Sequence, residues 1–230
     1  MDYANELSAL IDTVISEGAS DLHFTTSMNP IIRVSGSLVP LLKRNPLTKD
    51  DVLGLLEVLV TKEEKERFFE TQELDFSYQH KDVARFRGNA FFERGGVSVA
   101  LRVIPRTVKT FEELNLPPIL ETFTKLEQGF FLVVGPVGQG KSTTLASMIE
   151  RINQTRTEHI VTIEDPIEYL FTPEKSIINQ REVRVDTKDF HTALRSAFRQ
   201  DVDVIMVGEM RGPDTMSAAV TAAETGHLVL

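Results

Sequence analysis

The chain has 230 residues, of which 41% are hydrophobic and 26% charged, the balance of a globular protein with ample core. Its formal net charge of −9 gives no global pull towards nucleic acid or an anionic membrane, and the absence of cysteine excludes disulfides, thiolate catalysis and Cys-ligated zinc. Apolar runs are short and interrupted, as at 52–60 by Gly54 and Glu57, so no membrane span is expected, and the acidic start Asp2 to Glu6 lacks the basic and apolar regions of a signal peptide. A cytoplasmic location is the expectation.

Leu7, Leu10, Ile11, Val14 and Ile15 recur at helical spacing, with Gly18 as the stop. Asp21-Leu22-His23-Phe24 alternates like a half-buried strand, and 31–34 with 37–42 reads as a hairpin around Gly36. Thr48 and Thr61 are placed to cap helices over 51–60 and 63–70. Strands at 75–79, 84–92 and 97–104, with Gly95-Gly96 as a turn, complete a small α+β domain over residues 1–104. Arg85, Arg87, Arg94 and Arg102 sit on its last two strands and their turn; alternation puts Arg85 and Arg87 on one face. Such arginines suit a solvated strand face or phosphate recognition in a neighbouring subunit, and the pattern by itself does not choose. Residues 105–118 hold three prolines and a short helical piece at 111–114, the composition of an interdomain linker.

From 119 to 230 strands alternate with helices, and the strands are apolar on both faces, which argues for a parallel sheet covered on both sides. An apolar strand at 130–134 leads into Gly135-Pro136-Val137-Gly138-Gln139-Gly140-Lys141-Ser142, which fits the phosphate-binding pattern G-x-x-x-x-G-K-[ST] and opens a helix over 142–151. The glycines let backbone N–H groups turn in on phosphates, the helix start adds its positive end, Lys141 would reach the β- and γ-phosphates, and the Ser142 hydroxyl would ligate Mg²⁺. Thr143 follows in the same first turn. ATP and Mg²⁺ are therefore the expected ligands.

Acidic groups stand where such a core needs them. A strand at 159–163 ends in Glu164-Asp165-Pro166-Ile167-Glu168, from which a carboxylate could polarise an attacking water or merely cap a turn. A short strand is expected at 176–180 and a helix at 189–199. The apolar strand 202–207 runs into Gly208-Glu209, the position from which a carboxylate holds Mg²⁺, and a helix over 214–225 is followed by His227 at the head of a strand at 228–230.

Several segments then recur together in one order: Ala19 to His23, Arg85 to Phe91, the P-loop with Lys141 to Leu145, Ile163 to Glu168, Asn179-Gln180-Arg181-Glu182-Val183, Val207 to Arg211 and Ala222 to Val229. Together they resemble the type IV pilus retraction (twitching motility) ATPases, within the type II/IV secretion ATPase superfamily. The resemblance implies a PAS-like N-terminal domain and a RecA-like P-loop core, assembled as a cytoplasmic homo-hexamer at the inner-membrane face, without a transmembrane segment. It implies ATP-driven domain rotation passed to an inner-membrane pilus platform protein. By the same resemblance Glu168 is the catalytic base, Glu209 the Walker-B glutamate, His227 the first histidine of a histidine box, and Arg85, Arg87 and Arg102 the residues that reach bound ATP in trans. Two departures follow: Gly212 stands where the family has aspartate, and the chain stops at Leu230 inside an expected core strand, so a C-terminally truncated core is expected. Pilus extension or type II secretion, and a non-hydrolysing nucleotide-binding ring partner, are the alternative functions. A nucleic-acid translocase is disfavoured by the acidic balance.

Overall fold

The computed structural model describes every residue except Met1, Asp82 and Arg106. The chain divides into two compact units, Met1–Ile104 and Pro105–Leu230.

The first unit begins with α1 (Tyr3–Ser16), capped by the Asp2 carboxylate, which accepts the Asn5 N–H at 3.2 Å. Leu7, Leu10, Ile11 and Val14 are buried along it; Ile15, at the edge of the stripe, is 41% exposed. Gly18 ends the helix at φ 60°, with the Ala19 N–H bonded to Val14 O and the Gly18 N–H to Ile15 O, so the last carbonyls are satisfied. β1 (Asp21–Thr25), β2 (Ile31–Val34) and β3 (Ser37–Pro40) follow. Then come α2 (Lys49–Leu59) and α3 (Lys62–Thr71), each opened by a reciprocal capping box, from Thr48 with Asp51 and from Thr61 with Glu64. β4 (Glu73–His80), β5 (Ala84–Glu93) and β6 (Gly96–Ile104) complete an antiparallel six-stranded sheet in the order β3-β2-β1-β6-β5-β4. The tight turn between β5 and β6 is Arg94-Gly95, both at positive φ, and not Gly95-Gly96: Gly96 already pairs with Glu93.

Strand alternation sorts this sheet. Leu22, Phe24, Phe86 and Leu101 point into a core shared with Leu10, Leu55, Leu56 and Phe68 of the helices. The opposite face carries Asp21, His23, Arg33, Arg87 and Arg102.

Residues 107–118, expected as an interdomain linker, fall within the second compact unit. Phe111 is buried against residues such as Met148, and Pro105 O accepts the Leu170 N–H. Residues 111–115 form hydrogen-bonded turns, tied by Thr110 and Glu113 to each other's backbone N–H; a helix forms later, as α4 (Leu120–Phe123). The remaining elements are β7 (Gly129–Phe130), α5 (Lys141–Thr155), β8 (His159–Glu164), β9 (Ile177–Glu182), α6 (Phe190–Ala197), β10 (Val204–Val207), α7 (Pro213–Glu224) and β11 (Leu228–Val229). All five strands are parallel, in the order β7-β11-β10-β8-β9. Val161, Ile163, Ile205 and Val207 pack against α6 and α7 on one face; Ile160, Val204 and Met206 pack against α5 on the other. The strand expected at 130–134 is shorter. Among the described residues its only ladder neighbour is β11, and the last ladder bond is the Phe131 N–H to Val229 O, leaving Leu132 and Val134 exposed.

Candidate active site

The site forms at the carboxyl ends of the parallel strands, where the chain leaves β7, β8 and β10. The loop after β7 turns through Gly138 (φ 80°) and Gly140 (φ 83°), a left-handed conformation that a Cβ would strain. Gly140 is the N-cap of α5 and has no side chain to satisfy the first N–H groups of that 15-residue helix. Those donors, with the positive end of the helix dipole, are left for an anion. Lys141 Nζ donates to Pro136 O at 2.8 Å, so the lysine folds back over the loop where phosphate oxygens would lie.

Two acidic strand ends face this loop. The Gly208 N–H donates to Ile163 O at 2.8 Å, holding the ends of β10 and β8 together. Glu209 leaves β10 there, half-buried, its carboxylate 2.9 Å from Arg211 Nε. Glu164 ends β8 and is 6% exposed. Burial pushes its carboxyl above the ordinary carboxylate range, against the Thr162 hydroxyl (2.6 Å), the Glu168 N–H (3.3 Å) and the Gln180 amide (3.3 Å), which all favour the ionised form. Asp165 is paired with Arg184 at 3.2 Å. Glu168 is exposed at the mouth.

Lys141, Ser142, Thr143, Glu164, Glu168 and Glu209 all line one cleft of about 450 Å³, the size of a small-molecule site. Tyr169 lines it too, its phenol 2.9 Å from the Thr143 hydroxyl. Sequence reading missed Tyr169 and Gln180; the only signal was Gln180's place in the recurring segment 179–183. Ser142 and Glu209 offer hydroxyl and carboxylate oxygens, the donors a hard divalent cation such as Mg²⁺ prefers, and the cleft leaves the remaining coordination positions to water and phosphate.

His227 is not brought to this site. It precedes β11, and His227 O accepts the Gly129 N–H at the start of β7, so it lies at the amino ends of strands whose carboxyl ends form the cleft. Its Nδ1 is 3.0 Å from Ala222 O and its ring meets Phe198 edge-on. Within this chain His227 does not line the cleft. Arg85, Arg87 and Arg102 belong to the first unit. Arg87 and Arg102 pair directly across β5 and β6, and Arg85 lies two residues along on the same face. Arg102 Nε is 3.0 Å from Asp21 Oδ1.

A glycine-rich loop entering a helix, acidic residues at neighbouring strand ends and a two-faced parallel sheet define a P-loop NTPase domain, here preceded by an antiparallel α+β unit. The chain belongs to the type II/IV secretion system protein family, whose model matches residues 3–230. It is 44% identical to the type IV pilus retraction ATPase PilT of Pseudomonas aeruginosa over 224 residues, covering 97% of this chain and 65% of that protein. A twitching motility protein of Neisseria gonorrhoeae is 46% identical over 87% of this chain and 53% of its own length. Among solved structures, the pilus retraction motor PilT with bound ADP superposes with a TM-score of 0.90 at 46% identity, over 97% of this chain and 65% of that one. The Legionella pneumophila ATPase DotB gives 0.83 at 27% identity, over 97% and 63%. The chain thus spans less than two thirds of these relatives. Among the described residues, no helix is long and apolar enough to cross a membrane.

Proposed function

We propose that this chain carries the ATP-hydrolysing motor site of a type IV pilus retraction ATPase. One observation carries the proposal: the P-loop, Ser142, Glu168 and Glu209 converge on a single cleft sized for a small ligand. The similarity to PilT, whose solved structure holds ADP, supports ATP as the substrate.

In this reading the α5 N-terminus and the backbone N–H groups of residues 138–143 cradle the phosphates, and Lys141 leaves Pro136 O to reach the β- and γ-oxygens. Ser142 and Glu209 hold Mg²⁺, which when bound neutralises charge on the phosphates. Glu168 takes the proton of the attacking water, a contribution of about 10²–10⁴-fold in rate. Arg85, Arg87 and Arg102 approach the nucleotide of a neighbouring subunit in a homo-hexamer; such arginines add about 10³–10⁵-fold. The ring would act on an inner-membrane platform protein from the cytoplasmic face, turning hydrolysis into domain rotation. A pilus extension or type II secretion motor would share the same site chemistry, but the retraction-type similarity runs over 97% of this chain, whereas a type II secretion system protein E of Xanthomonas campestris is 42% identical over 59% of it.

The test is Mg²⁺-dependent ATP turnover with Glu168→Gln and Lys141→Ala, with mass by light scattering. Turnover abolished by Glu168→Gln with nucleotide binding kept, and binding itself lost with Lys141→Ala, is the expected pattern. Nucleotide binding unaffected by Lys141→Ala would overturn the site.

A further inference from the structure

The loop over residues 165–171, which carries Glu168, belongs to no helix and no strand ladder. Apart from the Leu170 N–H, which donates to Pro105 O at 3.3 Å, its backbone is held by side chains from the two neighbouring strands. Glu182 Oε2 accepts the Ile167 N–H at 3.4 Å, and Glu164 Oε2 accepts the Glu168 N–H at 3.3 Å. Gln180 does most: its Oε1 accepts the Phe171 N–H at 3.0 Å, and its Nε2 donates to Tyr169 O at 2.7 Å and to Glu164 Oε1 at 3.3 Å. The two loop contacts fix the amide's orientation, since a backbone N–H needs the oxygen and a backbone carbonyl needs the nitrogen. One carboxamide thus spans the loop two residues apart and touches the carboxylate that holds Glu168's own N–H. Gln180 itself is half-buried on β9, opposite Thr162 of β8, and does not line the cleft.

We infer that Gln180 is a positioning residue: it clamps the 165–171 loop so that Glu168 is presented to the cleft in one place. The inference rests on the reading of Glu168 as the base. No other side chain of similar size does the same. Methionine keeps the shape and makes neither bond; glutamate keeps an acceptor for Phe171 but loses the donor to Tyr169 and sets a carboxylate against Glu164.

The experiment uses the intact protein bearing this sequence and compares wild type, Gln180→Met, Gln180→Glu, Glu168→Gln and the Glu168→Gln/Gln180→Met double variant. For Gln180→Met we expect kcat to fall about ten- to hundredfold, the cost of a base displaced by a fraction of an ångström to an ångström, with the KM for Mg-ATP within about twofold. In the Glu168→Gln background the same substitution should change the residual rate by less than about twofold, because both act through one group. Amide hydrogen exchange at 167–171 should quicken in Gln180→Met while the α5 amides stay protected. Gln180→Glu supplies the same reading should the methionine variant not fold. Turnover lost in Glu168→Gln but kept in both Gln180 variants overturns the clamp alone. So does a Gln180→Met loss that appears equally in KM, or that adds in full to Glu168→Gln. Turnover that survives Glu168→Gln overturns the assignment of the base, and the clamp's catalytic role with it.

Discussion

The Thr143 hydroxyl and the Tyr169 phenol stand 2.9 Å apart, joining the first turn of the phosphate-binding helix to the loop that carries Glu168. They are 26 residues apart in sequence and both line the same cleft. Tyr169→Phe removes this bond without changing the ring. We expect a loss of about 1 kcal/mol in stability, the net value of one hydrogen bond, measured by denaturant unfolding. Turnover should fall several-fold with little change in nucleotide affinity; unchanged kcat would mean the link does not bear on the base.

Gly208 ties the end of β10 to β8, its N–H donating to Ile163 O at 2.8 Å, just before Glu209. A Cβ there would meet Ile163 O at 3.2 Å and Glu164 Cα at 3.4 Å, and both are backbone atoms that cannot swing aside. Gly208→Ala should therefore cost about 1–3 kcal/mol, as overpacking does, and lower Mg²⁺-dependent turnover more than nucleotide binding. Thermal unfolding beside a nucleotide titration checks it. An alanine variant with wild-type melting and kcat would show that the strand ends have slack.

What the sequence made legible was local. The P-loop spans eight contiguous positions, the Thr48 and Thr61 caps act three residues away, and the stripe of α1 is a period along one helix. The Glu209 position followed from an apolar run and its end. What stayed hidden was pairing at a distance. Gln180 reaches Tyr169 only because β9 lies beside β8, and Asp21 meets Arg102 across 81 residues because β1 pairs with β6. His227 shows the same limit from the other side. Its place near a strand was readable, but which end of the sheet that strand began at depends on β11 sitting between β7 and β10.

Asp21 is the pivot of the polar face of the first unit. It is 6% exposed and receives Arg102 at 3.0 Å, Arg33 at 3.5 Å and the Ser20 hydroxyl at 2.8 Å. Burial alone would raise its carboxyl, but the Ser20 and Arg102 bonds outweigh it and hold the group below the ordinary range. Asp21→Asn keeps the shape and removes the charge that both guanidiniums face. We expect a loss of about 1–3 kcal/mol, since charge-assisted bonds to a buried group are lost while the two cations remain. A double-mutant cycle with Arg102→Gln measures the coupling, and a value near zero would assign the stabilisation to Arg33 and Ser20.

His23 and His80 give this unit a pH dependence. Burial holds both imidazoles below the ordinary 6.5, with Arg33 and Arg102 adding to the effect at His23 against Asp21, and Lys81 adding to it at His80 against Asp12. The folded state therefore prefers the neutral rings. Above pH 6.5 neither state binds a proton and the groups contribute nothing to the slope. Below it the unfolded chain binds protons that the folded chain refuses, so stability falls as pH drops through 6.5 towards the lowered folded values. Asp21, ionised across that window, does not add to the change. Melting temperature measured from pH 8 to pH 5 should fall by a few degrees. Gln at both His23 and His80 should flatten the curve; an unaltered slope would place the effect elsewhere.

Gly212 is the N-cap of α7, at φ −118° and ψ 151°, followed by Pro213 at the first helical position. That backbone is ordinary extended conformation, so glycine is not required there, and a Cβ would meet nothing within 4 Å. The residue supplies no side-chain acceptor to the first N–H groups of the helix. An aspartate would supply one, and its charge would favour the positive helix end. Gly212→Asp should therefore stabilise the protein by a few tenths of a kcal/mol up to about 1 kcal/mol, read as a rise in unfolding midpoint. The neighbouring Arg211 already pairs with Glu209 at 2.9 Å, and a new carboxylate beside it would compete for that guanidinium. Because Arg211 is 84% exposed, this competition is worth little to stability, and its effect would be to free Glu209 for a cation. The same variant should then need no more Mg²⁺ for half-maximal turnover than the parent, and a clear rise in that requirement would show that the added carboxylate draws the cation away from Glu209.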